Sequence, residues 1–319
     1  MNNRLAVFAA LCGLFALIAA TPRAVAGCRE GLALCVELIL PSLFPFFVLS
    51  ALLAKLGLPL TLGRLLAPAS RRLFRVSGAG ATAFFMGLLG GYPLGAAYIA
   101  ELVENGAVSP EEGGRLLAFC NNSGPAFFIG VLGTGVFGSV KYGLLLYAAH
   151  AGAALLTGLL VRGQGCGAAD AAPEGAPPLP FSAALSEAVR QAVSALLGVC
   201  GFVVCFAVFT GLLEEWGLLS LAAGRLSELS GQPLAWCRAL LTGFFELGGG
   251  VGALRGLPPS PENLALATAL MGWGGLSVHF QSLSLLADAP VDCHLHTLGR
   301  LMNAALSGAA VYILSSFVF

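Results

Sequence analysis

The sequence predicts an all-α polytopic membrane protein built as an inverted repeat, each half holding one re-entrant hairpin and one broken helix. Three observations carry this reading. Hydrophobic residues make up 57% of the 319 and charged residues 10%, with a mean hydropathy of +0.87. A soluble globule carries about 25% charged residues, because its outside must face water. The 43 glycines gather in short tracts with proline and asparagine inside apolar runs, the pattern of interrupted membrane helices. Three segments also recur in one order. FVLSALLAKLG (47–57) resembles FAVFTGLLEEWG (206–217), AFFMGLLGG (83–91) resembles ALLTGFFELGG (239–249), and LLAFCNNSGPAFF (116–128) resembles ALMGWGGLSVHFQ (269–281), at offsets of 160, 156 and 154 residues.

The elements follow in order. Residues 1–26 hold an apolar run (5–20) and then Thr21 to Ala26, with Gly27 next. This is either a first span or a signal peptide cut after Ala26; the span is favoured because further membrane segments follow. The first repeat covers 27–162. It opens with a span over 31–54 that contains Pro41 and Pro45, followed by a stretch with Lys55, Arg64, Arg71, Arg72 and Arg75 and no acid. By the positive-inside rule that stretch is a cytoplasmic loop. Residues 79–103 are two short apolar arms around Gly90-Gly91-Tyr92-Pro93-Leu94-Gly95. Each arm is too short for a ~30 Å core, so the segment reads as a re-entrant hairpin, with one kinked span as the alternative. A span over 114–138 is broken at Asn121 to Pro125, and 142–161 is a further span. A polar linker over 163–187 has a tether's composition. The second repeat, 188–319, brings a span at 191–213, a hairpin at 236–256 broken at Gly248 to Gly250, a span at 263–287 broken at Gly272 to Gly275, and a last span at 297–318. If each hairpin turns back, each repeat crosses three times, and the two repeats lie upside down relative to each other.

Several function classes drop out. Sixteen basic and sixteen acidic residues balance, leaving no basic field for nucleic acid. Nine dispersed cysteines without a C-x-x-C pair read as small buried hydrophobes. Cys293-His294-x-His296 lacks a second ligand cluster at zinc spacing, so no metal is expected. No Walker A, Rossmann, G-x-S-x-G or H-E-x-x-H motif is present. The protein reads as a non-enzyme without a resident cofactor.

Broken backbone in hydrocarbon must line a protein-enclosed or wet cavity, which makes the breaks the candidate site. Asn121, Asn122 and Ser123 offer donors and acceptors there, or simply cap the broken helix. Glu246 sits deep in an apolar run, where an acid is a functional hypothesis by default. It either carries a coupling proton, ligates a sodium ion, bonds the solute, or pairs with Arg255. Ser277, His279 and Gln281 follow the second glycine break. Tyr92 stands at the first hairpin tip. Glu37 and His150 are weaker candidates. The expected partners are a small polar solute and the lipid bilayer, with self-association left open.

Four segments carry a resemblance: Pro41-Ser-Leu-Phe-Pro-Phe-Phe47; Phe85-Met-Gly87 with Gly91-Tyr-Pro93-x-Gly95; Arg115-Leu-Leu with Phe119-x-Asn-x-Ser-Gly-Pro125; and Gly274-Gly-Leu-Ser-Val-His279. The chain resembles the YlbJ-type sporulation integral membrane proteins of the nucleoside-recognition (Gate) domain family over about residues 30–312. The resemblance implies a fold similar to the core of concentrative nucleoside transporters. It also implies movement of dipicolinic acid from the mother cell across the outer forespore membrane. Dipicolinate is a planar dianion, and helix N-termini, Asn and Ser donors and Arg255 suit its carboxylates. A nucleoside is the alternative cargo, and a non-transporting envelope-assembly factor is the alternative role.

Overall fold

The computed structural model describes residues 3–163 and 178–316, so most of the expected linker lies outside the described residues. These residues form helices only. In chain order they are α1 (Asn3–Ala19), α2 (Thr21–Lys55), α3 (Leu58–Leu73), α4 (Gly78–Gly90), α5 (Leu94–Glu104), α6 (Pro110–Cys120), α7 (Ala126–Val136) and α8 (Val140–Leu160). Then come α9 (Phe181–Glu215), α10 (Leu218–Ser230), α11 (Leu234–Phe245), α12 (Leu247–Gly252), α13 (Pro261–Trp273), α14 (Gly275–Leu285) and α15 (His294–Ser315). One order therefore occurs twice, in α2–α8 and α9–α15: a long helix, a short helix, helix–break–helix, helix–break–helix, and a final helix.

Length and composition make α2, α8 and α9 membrane spans, and the protein is a polytopic helical membrane protein. At 35 residues each, α2 and α9 reach about 52 Å, well beyond a ~30 Å core. Pro41 has no N–H to give the carbonyl of Glu37, and the helix slips into a π-turn at Cys35–Ile39. The two long helices pack antiparallel. Gly27 meets Val208, Gly31 meets Val204, Cys35 meets Cys200, and the N–H of Leu179 bonds the Lys55 carbonyl at 3.0 Å. Helix α2 thus starts before Ala26, and the Thr21–Gly27 stretch already lies against α9.

Serine caps start the short helices. Ser77, Ser109 and Ser260 accept from Gly80, Glu112 and Asn263, and Pro110 and Pro261 follow two of them at the first helical position. Glu112 is buried and accepts the Ser77 N–H at 2.7 Å, which ties the start of α4 to the start of α6. Val103, near the end of α5, lies against Gly113. The α4–α5 pair therefore enters and leaves beside the same helix end. In the second half Trp236, at the start of α11, reaches the Glu262 carbonyl at the start of α13.

Two expectations change. The basic stretch after residue 55 is not a loop: α3 is an amphipathic helix, bent by 101° from α4. The second hairpin breaks at Glu246, not at its glycines, since Glu246 is extended and caps α12 while Gly248 to Gly252 stay helical. Helix α15 lies centrally, with Arg300, Asn303 and Ser307 all fully buried. Its contacts are made by glycine: a Cβ on Gly299 would stand 2.2 Å from the Ala118 carbonyl oxygen. Large apolar side chains on α1, α8 and α9 face outward, as they do where lipid is the solvent.

Candidate functional site

All four breaks meet at the molecule's centre. Gly91, in the left-handed region at φ 75°, brings the first hairpin tip against Gly124 in the α6–α7 break; a Cβ there would fall 2.7 Å from the Gly124 nitrogen. Gly275, at φ 73°, brings the α13–α14 break against the second tip, where a Cβ would stand 2.9 Å from the Leu247 nitrogen. Between them is a cavity of about 40 Å³ lined by Tyr92, Ser123, Glu246, Ser277 and Gln281 against an apolar wall that includes Phe47 and Val203. That volume holds about three waters.

Behind Tyr92 lies the buried guanidinium of Arg300. It donates to the Tyr92 hydroxyl at 2.9 Å, to the Ala118 carbonyl at 2.9 Å and to Asn122 Oδ1 at 3.5 Å, and its Nε has no partner among the described residues. The Tyr92 hydroxyl donates onward to the Met271 carbonyl at 3.0 Å. No carboxylate pairs with Arg300 among the described residues. The last turns of α6 and α13 supply the negative ends of two helix dipoles instead, each equivalent to roughly half a charge. Arg300 therefore joins both halves of the molecule: it touches α6 directly and α13 through the first hairpin tip.

A second polar group extends from this one. Asn121 Nδ2 donates to Ser282 Oγ at 2.8 Å and lies 3.3 Å from His296 Nε2. The His296 ring sits 4.9 Å from His279, edge to face, and His279 Nε2 donates to the Trp273 carbonyl at 3.2 Å. The Ser123 N–H donates to His150 Nε2 at 3.3 Å, and Asn303 Nδ2 reaches the His150 carbonyl at 3.5 Å. Asn121 Oδ1, Ser277 Oγ, Asn303 Oδ1 and the Nδ1 atoms of His150 and His296 are buried without partners among the described residues. Polar groups left so in a dry interior cost about 1–3 kcal/mol each, and a polar solute or water would satisfy them.

Glu246 forms the opposite end of the cavity. Its carboxylate accepts the Gly248 N–H at 2.8 Å and the N–H of Gly249. It also floors an outer groove of about 400 Å³ that carries the Arg23–Glu30 and Arg238–Glu214 ion pairs. A groove of about 570 Å³, holding Glu187, Arg190 and Ser284, reaches the cavity wall at Val199 and Gln281.

Of the residues singled out in the sequence, Tyr92, Ser123, Glu246, Ser277 and Gln281 line the cavity, and Asn121, Asn122, His150 and His279 stand in the polar network behind it. Ser277 and Gln281 are four apart on α14 and share a face, which leaves His279 to point at Trp273. Arg255 is not brought in: α12 ends at Gly252, the chain turns outward, and Arg255 is exposed. Glu37 is exposed too. Sequence reasoning missed Arg300, Asn303 and Ser282, and weighed His296 only within a metal-like motif. The signal was present as a polar stripe at helical spacing, His296, Arg300, Asn303 and Ser307, inside an apolar run.

Fold and site together define an integral membrane protein whose broken helices enclose a polar centre, with a buried arginine behind one side of it and a buried glutamate at the other. The chain belongs to the YlbJ family of sporulation membrane proteins. It is 31% identical over 310 residues to "Sporulation integral membrane protein YlbJ" of Bacillus subtilis (strain 168), covering 90% of this chain and 76% of that protein. No family model matches the chain, and no solved structure matches it.

Proposed function

We propose that this protein is a secondary transporter or facilitator of a small anionic solute, with dipicolinic acid as cargo, moved across the outer forespore membrane during sporulation. One observation carries the anion: Arg300, fully buried behind Tyr92 between the first hairpin tip and the last turn of α6, has no carboxylate partner among the described residues. The dipoles of two helix ends offset part of its charge, and a carboxylate beside Tyr92 would offset the rest. The antiparallel packing of α2 on α9, with one element order repeated, supports an inverted repeat of the kind found in transporters with midplane sites. The hairpin ends gathered beside α6 and α13 support the re-entrant reading. The cavity is too small for a planar diacid, so loading requires a tip to part; the two flanking grooves supply an approach to it from Glu246 and from Gln281.

Glu246 is the coupling residue in this reading, taking a proton or a cation so that its own charge does not repel the solute. Purified protein in liposomes should take up dipicolinate and other planar dicarboxylates in preference to uridine. Uptake of the nucleoside with no dicarboxylate flux overturns the cargo. Glu246→Gln should remove the response of uptake to a proton or sodium gradient, with flux under a gradient falling by about tenfold or more. Wild-type uptake that ignores both gradients overturns the coupling.

A further inference from the structure

We propose that a cleft under α3 is a binding site for one anionic phospholipid, its acyl chain in the cleft and its phosphate on a cluster of arginines. The cleft, about 230 Å³, lies between α3, α4 and α8, and is lined by Leu66, Phe74, Phe84, Phe85, Phe119 and Leu155, with Ala69 and Ala81 on its wall. Phe74, Phe84 and Phe119 form one aromatic cluster with ring centroids 5.4–6.1 Å apart. Leu155, Leu156 and Leu160 on the adjoining face of α8 are exposed, so this face meets acyl chains.

Charge identifies the occupant. From residue 38 to residue 100 there is no acid, while Lys55, Arg64, Arg71, Arg72 and Arg75 all fall in that interval. Arg64, Arg72 and Arg75 are exposed. Arg115 donates to the Arg75 carbonyl at 3.4 Å, and Arg75 donates to the Gly163 carbonyl at 3.1 Å, which brings cations from two segments, the α3–α4 connection and α6, together at the Phe74 end of the cleft. Arg64, Arg72, Arg75 and Arg115 form no ion pair among the described residues. Of the nearby acids, Glu112 is buried on the Ser77 N–H, and Glu111 is exposed at the start of α6. Helix α3 crosses α4 at 101°; with α4 running into the membrane, α3 lies along its surface, with arginines at headgroup level and the cleft beneath them. An inorganic anion would have no use for the apolar wall, and a zwitterionic lipid none for the cluster.

The test uses the full-length protein in detergent micelles doped with phosphatidylglycerol and phosphatidylcholine, with retained lipid counted by native mass spectrometry. Wild type should retain phosphatidylglycerol selectively. Arg72→Gln should cut that selectivity by about fivefold, and adding Arg64→Gln by about as much again. Ala69→Phe, on the exposed rim of the cleft, should lose the bound lipid while the arginines remain. Equal retention of both lipids, or retention unchanged by Ala69→Phe, overturns the proposal. So does displacement by millimolar glycerol phosphate, which would make the cluster a site for a free anion. None of these readouts depends on transport.

Discussion

Arg300→Met is expected to abolish solute flux and to lower stability by about 2 kcal/mol. The two effects have separate causes. Two charge-assisted hydrogen bonds are lost, to the Tyr92 hydroxyl and the Ala118 carbonyl, each worth about 1.5–3 kcal/mol. Part of that is recovered, because methionine removes the cost of holding a cation away from water. Flux has no such recovery: without the guanidinium, two helix C-termini face the site and repel an anion. Arg300→Lys separates charge from geometry. Lysine keeps the positive charge but has no planar fork to hold Tyr92 and Ala118 together, so it should retain binding while flux falls. Thermal unfolding in detergent gives the first effect and liposome uptake the second. A methionine variant that transports dipicolinate at the wild-type rate removes Arg300 from the proposed site. Tyr92→Phe is the milder companion: it leaves Arg300 Nη1 and the Met271 carbonyl without their shared hydroxyl, at a cost of about 1–3 kcal/mol.

The breaks were legible where backbone chemistry is written in residue type. Gly91-Tyr92-Pro93 and Asn121 to Pro125 cannot continue a helix without losing donors or clashing, and both interrupt the chain as expected. The second hairpin misled because glycine was taken as the breaker. Gly250 is helical for a packing reason, since a Cβ on it would stand 2.2 Å from the Gly243 Cα. The break sits at Glu246 because its carboxylate can take two backbone N–H groups at once. The amphipathic helices α3 and α10 were hidden by averaging: their mixed composition reads as a connecting stretch, although one face of each is apolar. Arg255 was chosen for its nearness to Glu246 in the chain. Arg300 was passed over although only the fold decides which arginine turns inward. An arginine in an apolar run either snorkels or is buried with partners, and the partners here come from residues about 180–210 positions away.

Gly87→Ala should be the most damaging small change in the first hairpin. A Cβ at this position would stand 1.7 Å from the Cys120 carbonyl oxygen, and one at Gly95 would stand 2.8 Å from the same atom. The last carbonyl of α6 is therefore seated between the two arms of the hairpin, each opened for it by a missing side chain. The obstacle is backbone against backbone, so no rotamer relieves it, and α4 must move off α6. Overpacking a close crossing costs about 1–3 kcal/mol, and the displaced arm carries the Gly91–Gly124 contact and Tyr92 with it. Flux and thermal stability should fall together. Gly201→Ala is the control, since nothing lies within 4 Å of its added carbon. In mid-helix that change should be neutral or stabilise by about 0.5–1 kcal/mol. If Gly87→Ala unfolds at the wild-type temperature and still transports, the hairpin is not clamped on α6, and the cavity cannot depend on where its tip is held.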